Sequence, residues 1–233
     1  MLAISFVSAA NAMDPELSST EPSDNATSVA LDANIVLTFS ENMRIASGDF
    51  VIKKASDDST VQTINGASDS AAFSGDGTNA ITINPPSDLA SGTEYYITIS
   101  SQLFMNFGSE FFPGIADKTT LNFTTRDSVA PTISSVSLNA ANSALTVTFS
   151  ENVYDTNGGS GDLEVSDFAL AISGGSATVA ATPTSITKTS QTVWVLGLNV
   201  SGTANGSEII SVVPASSTSI YDGASNAAST TQS

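Results

Sequence analysis

Carboxylate and amide side chains collect in the loops of the second half of the chain. They are Asp127, Glu151, Asn152, Asp155, Asp162, Asp222 and Asn226. Calcium takes about six to eight oxygen ligands from such groups and from backbone carbonyls, and it needs neither His nor Cys. Several carboxylates held at one place repel one another unless a cation lies between them. Two interpretations stay open: a calcium site, or ordinary loop acids in contact with solvent.

Other chemistry is restricted by the residue types that the chain lacks. It has no His and no Cys, which excludes imidazole acid/base catalysis, thiolate zinc sites and disulfides. The glycines at 158, 159 and 161 do not form a phosphate loop, because Asp162 stands where a Lys is needed. Pairs of acids that could hydrolyse a glycosidic bond are expected by chance in so acidic a chain. We therefore predict that the protein is not an enzyme.

Charge and composition indicate where such a protein works. Six basic residues stand against 23 acidic ones, so the formal net charge is -17 and nucleic acid is excluded as a partner. Charged residues make up only 12% of the chain, and Ser, Thr, Asn and Gly supply the polar surface, as in extracellular β-proteins. No run of about 18 apolar residues exists, so membrane insertion is not expected.

The elements that must hold these loops are β-strands. Ile35, Leu37 and Phe39 alternate with polar or opposite-facing residues, and Leu145 to Phe149 repeats the pattern. No stretch has a sustained helical period. About seven short strands per domain, separated by turn residues every eight to twelve positions, are typical of a β-sandwich. The predicted fold class is all-β, with two tandem immunoglobulin-like sandwiches.

An internal repeat sets the domain boundaries. The segment Thr38 to Asn42 recurs unchanged as Thr148 to Asn152, and further matches follow in the same order, among them Gly92-Thr93-Glu94-Tyr95 with Gly206-Ser207-Glu208-Ile209. The predicted domains are residues 17–127 and 128–233. In such a sandwich the entering linker, the loop after the second strand and the loop before the last strand meet at one pole. That pole would gather the acidic residues of the second domain, with Asp127 coming from the linker.

Both ends of the chain deviate from this repeat. Residues 1–16 contain the apolar run from Leu2 to Val7 and then Ala10-Asn11-Ala12, which has the form of a signal-peptidase site. The alternative is that this run is the last strand of a preceding repeat, followed by a linker. At the other end, the second domain is expected to lack its last strand, because only a weakly patterned tail follows residue 223.

The motifs resemble a known family. The string Leu31 to Met43, with Pro22 to Val29 before it and Leu89 to Tyr96 after it, looks like the bacterial Ig-like domains of surface-layer proteins and large adhesins. The second copy is similar to calcium-associated Ig-like repeats through Phe149 to Tyr154 and Tyr221 to Asn226. The resemblance implies an extracellular or cell-surface location. It also implies that other repeats of the same protein, or cell-surface components, are the partners.

These expectations combine into one predicted function and one alternative. The first is a non-enzymatic spacer or adhesive segment of a bacterial surface or secreted repeat protein, made rigid by calcium. The alternative is a carbohydrate-binding or accessory module of a secreted enzyme, with glycans as partners. The aromatic stretch at residues 104–112 distinguishes these two functions. If Phe107, Phe111 and Phe112 are exposed together, the stretch presents rings to a glycan; otherwise it caps the first sandwich.

Overall fold

The computed structural model describes residues 14–232. Both expectations for the apolar run near the N-terminus fall on residues 1–13 and lie outside this range. The chain divides into two compact units, with the boundary between Asp127 and Ser128. The described residues contain no helix long and apolar enough to cross a membrane. Their helical segments are the short 3₁₀ helices Ser70–Ala72 and Val165–Asp167.

The first domain is a sandwich of two sheets. Its strands are β1 (Leu17–Glu21), β2 (Ala26–Val29), β3 (Ile35–Ile45), β4 (Asp49–Lys54), β5 (Thr60–Asn65), β6 (Phe73–Ser74), β7 (Thr78–Ile83), β8 (Glu94–Ile99), β9 (Phe104–Asn106) and β10 (Asn122–Thr125). One sheet has the order β1-β3-β7-β6, with β9 also paired to β3. The other has the order β2-β10-β8-β4-β5.

Alternating burial along the strands builds the core of the first domain. Ile35, Leu37 and Phe39 of β3 are buried while the residues between them are partly exposed, as the period of two predicts. The last strand, β10, closes the core from the other sheet. Phe123 lies opposite Tyr95 in the antiparallel register, and the two rings are 6.0 Å apart.

The second domain is also built from strands. They are β11 (Ile133–Leu138), β12 (Ala144–Phe149), β13 (Phe168–Ser173), β14 (Thr178–Val179), β15 (Ser185–Lys188), β16 (Val193–Gly197), β17 (Val200–Ser201) and β18 (Ile209–Pro214). The main sheet has the order β11-β12-β16-β15, and the pairs β13-β18 and β14-β17 form small sheets. Trp194 of β16 is buried in the core with Val147 and Leu196. The all-β prediction is confirmed.

The two domains differ at the strand that closes the sandwich. In the first domain β8 pairs with β4 on one side and with β10 on the other. Its counterpart β18 pairs with β13, and no strand follows β18 among residues 215–232. The tail instead folds back on the domain: the Ala228 amide donates a hydrogen bond to the Ile220 carbonyl, and the Ile133 amide of β11 donates one to Gln232 Oε1.

The structure corrects the repeat alignment at this strand. Phe50 pairs with Ile99 and Phe168 pairs with Pro214, so Tyr95 corresponds to Ile210. The motif match had placed Ile209 at that position. The difference arises because Glu94 lies within β8, whereas Glu208 lies in the loop before β18.

Candidate metal centre

Two of the acids predicted as ligands come together in the second domain. The carboxylate oxygens of Glu151 and Asp222 lie within 4.8 Å of each other. Glu151 follows the end of β12, and Asp222 lies in the loop after β18. A two-way backbone bridge between Tyr154 and Tyr221, with both hydrogen bonds at 2.8 Å, holds these two loops side by side. Tertiary pairing therefore positions both carboxylates.

Asp222 is fully buried and already has hydrogen-bond partners. Its Oδ1 accepts from the backbone amides of Ala224 (2.8 Å) and Asn226 (2.7 Å), and its Oδ2 accepts from Asn226 Nδ2 (2.7 Å). Asn226 Nδ2 also lies 3.4 Å from the carbonyl of Val129. These bonds form an Asx-type turn, which fixes the orientation of the carboxylate.

Three other predicted ligands of the second domain are arranged differently. Asn152 is exposed. Asp155 accepts a hydrogen bond of 2.7 Å from Thr156 Oγ1, within the glycine-rich loop closed by the bridge between Thr156 and Ser160. Asp162 pairs with Lys188, and its side chain is 62% exposed. Thr156, the next residue in the chain, therefore explains the position of Asp155, and the ion pair with Lys188 explains that of Asp162.

Asp127, the remaining predicted ligand, is the last residue of the first domain. Its Oδ1 accepts a hydrogen bond of 2.9 Å from Ser91 Oγ. Its role as a metal ligand stays a prediction.

Two acidic residues of the second domain with perturbed pKa values were missed as candidates. Burial raises the pKa of Asp167, and the nearby charges of Asp155 and Glu164 add to that shift, while a hydrogen bond from the Glu164 amide opposes it. The sequence repeat marks this position, because Gly48-Asp49-Phe50 of the first domain matches Ser166-Asp167-Phe168 of the second. Glu208 behaves in the opposite way: backbone amides, chiefly that of Asn205, lower its pKa to about 2.

Glu208 acts as an acceptor for a loop. Its carboxylate accepts hydrogen bonds from the amides of Asn205, Gly206, Ser176 and Ala177, at distances between 3.0 and 3.3 Å. These donors come from two loops that are distant in sequence. The side chain therefore fixes the pole of the second domain at which β18 begins.

The aromatic stretch of the first domain divides into buried and exposed rings. Phe104 and Phe112 are buried and pack on Phe39, with ring centroids 5.2 and 5.3 Å away. Phe107 and Phe111 are 59% and 41% exposed. The guanidinium of Arg44 lies 4.3 Å from the centre of the Phe107 ring. The three rings named for glycan binding are thus not exposed together, and Phe112 caps the sandwich.

The fold and its sites define the class: an all-β protein made of tandem Ig-like sandwiches. Residues 11–125, just under half of the chain, match the bacterial Ig-like domain family. The first domain is a member of that family. No curated protein matches the sequence significantly.

Solved structures of surface-layer proteins are similar at low identity. A structure of surface layer protein SbsC, domains 1–6, is 16% identical with a TM-score of 0.34, covering 85% of this chain and 25% of that one. The N-terminal part of the bacterial S-layer protein SbsC is 15% identical with a TM-score of 0.34, covering 85% of this chain and 44% of that one. The present chain thus spans less than half of either solved chain.

Proposed function

We propose that this protein is a non-enzymatic structural segment, a spacer or adhesive module, of a bacterial cell-surface or secreted repeat protein. The observation that carries the proposal is the membership of the first domain in the bacterial Ig-like family. The surface chemistry supports it, because a polar and acidic exterior with few basic residues suits an extracellular module. The partners are then other repeats of the same protein or components of the cell surface.

Surface exposure in the source bacterium tests this function. Antibodies raised against the 233-residue chain should label intact cells or the culture medium. External protease should remove the cell-bound signal without lysis, while a cytoplasmic marker stays intact. Signal that appears only after lysis contradicts the proposal.

The carbohydrate-binding alternative depends on Phe107 and Phe111, the two exposed rings of the aromatic stretch. Aromatic rings exposed beside polar groups are a feature of sugar-binding surfaces. A glycan array with the wild-type chain and the Phe111→Ala variant distinguishes the alternatives. Val61→Ala serves as a control, because Val61 is also an exposed apolar side chain. The spacer function predicts no glycan signal; a signal that Phe111→Ala removes and Val61→Ala retains supports the alternative.

We further propose that calcium stabilises the second domain at the pair formed by Glu151 and Asp222. The supporting observation is that two carboxylates lie within 4.8 Å of each other, which favours a cation between them. Asp127 stays a predicted further ligand. Extracellular modules bind calcium with Kd values of about 10⁻⁴ to 10⁻³ M, so millimolar calcium is the relevant range.

Trp194 provides a specific reporter for this test, because it is the single tryptophan and is buried in the second domain. Calcium at about a hundredfold excess over Kd should stabilise that domain by about 2.7 kcal/mol, seen as a rise in Tm by tryptophan fluorescence. Glu151→Gln should remove the rise, whereas the matched variant Asp162→Asn should retain it. An Asp127→Asn variant tests the third ligand separately. Equal melting curves of the wild type in calcium and in chelator contradict the proposal.

A further inference from the structure

The outer edge of β18 has unpaired backbone groups. The amide of Leu170 bonds the carbonyl of Ala181, on the side of β13 away from β18, and the amide of Ala215 bonds the carbonyl of Asp167. Antiparallel pairs alternate between bonded and non-bonded, so the backbone groups of Ile210 and Val212 must point away from β13. Within residues 14–232, no backbone or side-chain group bonds to them.

The equivalent edge of the first domain is occupied. The amide of Ile97 donates to the carbonyl of Leu121, at 3.0 Å, and β10 pairs along β8. By the register through β4 and β13, Ile97 corresponds to Val212. The second domain therefore presents a vacant position for one antiparallel strand.

A pocket open to solvent, with mostly apolar walls, lies beside this vacant position. It has a volume of about 390 Å³, and its apolar walls include Val136, Leu138, Leu145, Ile172 and Ile210. Because Ile210 corresponds to Tyr95, the cavity lies where the counterpart of Phe123 would pack. An apolar cavity of about 150 Å³ already holds a benzene-sized group, so this one has room for the inward side chains of a strand.

One segment of the chain has the pattern of the strand that fits. The last strand of the first domain and the residue before it bury Leu121, Phe123 and Thr125 on alternate positions. Residues 2–8 repeat this pattern as Ile4, Phe6 and Ser8, with Ser5 and Val7 between them. This segment lies outside the described residues, and the family match of the first domain begins only at residue 11. The last-strand position of the first domain is already filled by β10.

We propose that residues 2–8 of one copy of this chain insert beside β18 of a second copy and complete its second domain. The inserted strand runs antiparallel to β18, with Phe6 opposite Ile210 and entering the cavity. Backbone pairing supplies affinity, and the alternate side chains supply register. Such a contact joins different surfaces of the two copies, so it adds chains head to tail.

Two features of the chain favour residues 2–8 as the donor segment. Residues 2–8 contain no acidic side chain in a chain of net charge -17, so their insertion adds no like-charge repulsion beside Glu208, which lines the cavity. The sequence order around residues 2–8 also matches the order at the domain boundary. There, β10 is followed by a proline-containing linker and then by the second domain. Residues 2–8, Pro15 and β1 repeat this order.

The association state of the full 233-residue chain tests this proposal. Analytical ultracentrifugation over a range of concentrations should show dimers and longer species in the wild type. Phe6→Asp should weaken association about 100-fold or more, because the charge would enter an apolar cavity. The matched variant Val7→Asp places the same charge on the outward face and should associate like the wild type. This difference between the two variants distinguishes strand insertion from non-specific hydrophobic association.

The acceptor side has its own variant. Ile210→Pro removes an outward amide without breaking a bond to β13, and Pro214 already occupies an equivalent position of the same strand. It should abolish association, while fluorescence of Trp194 confirms that the domain is folded. A synthetic peptide of residues 1–9, added to the monomeric Phe6→Asp chain, should raise the Tm reported by Trp194. The same peptide carrying Asp in place of Phe6 should not.

Three results would overturn the proposal. A wild-type chain that stays monomeric at all concentrations rules out a second copy as the donor. Association of Phe6→Asp equal to that of the wild type means that free strand edges pair directly with each other. A peptide that leaves the Tm unchanged means that the cavity does not accept this strand.

Discussion

Removing the Phe123 ring should strongly destabilise the first domain, because this ring fills the core beneath the last strand. Phe123 of β10 is almost fully buried and packs 6.0 Å from Tyr95. A phenylalanine buries about 150–250 Å², which at about 25 cal/mol per Å² corresponds to about 4–6 kcal/mol. Because Ala retains part of that area and a cavity is left behind, we expect Phe123→Ala to cost about 3–5 kcal/mol. The first domain should then melt about 12–20 °C lower.

Calorimetry and tryptophan fluorescence together provide the assay. Calorimetry follows both domains, whereas Trp194 reports on the second alone. Phe123→Ala should lower one calorimetric transition and leave the fluorescence transition unchanged. Thr124→Ala, the neighbouring position on the partly exposed face of β10, should change stability by no more than about 0.5 kcal/mol. The reasoning fails if Phe123→Ala melts like the wild type, or if the Trp194 transition shifts by the same amount as the calorimetric one.

The remaining predictions concern the acids of the second domain. Glu208 has a native pKa of about 2 against an ordinary value of 4.5, so its stabilisation is complete above pH 4.5 and is lost as pH falls towards 2. Glu208→Gln should therefore flatten the fall of the Trp194-reported Tm between pH 4.5 and 2; parallel profiles for the two proteins would exclude this role. Asp222→Ala should destabilise the second domain by about 2 kcal/mol or more in urea unfolding, because amide donors lose a buried carboxylate. Asp162→Ala should lower the free energy of unfolding by less than about 1 kcal/mol, because its ion pair with Lys188 lies at the protein surface. A larger loss of stability than for Asp222→Ala would contradict this ranking.

The strands that the sequence predicted are those with a clear period of two. Leu145 to Phe149 was predicted and forms β12 together with Ala144, and Ile35 to Phe39 forms the start of the longer β3. Strand β2, in contrast, is short and has no fully buried residue, so it left no hydrophobic pattern. It exists because β10 offers it a parallel partner. Pairing of this kind is invisible in a local pattern.

The candidate metal centre likewise combines residue types that the sequence reveals with contacts that only the tertiary structure decides. Its loop acids could be recognised from residue type, and Glu151 and Asp222 were both among them. Which two carboxylates meet was decided by the bridge between Tyr154 and Tyr221, which joins distant parts of the chain. Asp155 is held instead by its neighbour Thr156, and Asp162 by Lys188, another partner that only the tertiary structure supplies.

The sequence by itself determined the fold class and the residue types available for chemistry, because side-chain alternation and composition are local properties. Tertiary structure decided the register of β18, which places Ile210 where the repeat had suggested Ile209. It also decided that the edge of this strand lacks a partner among the described residues, beside an apolar cavity. These features depend on hydrogen bonds between strands far apart in the chain, and a one-residue shift in such pairing reverses which side chains face the core.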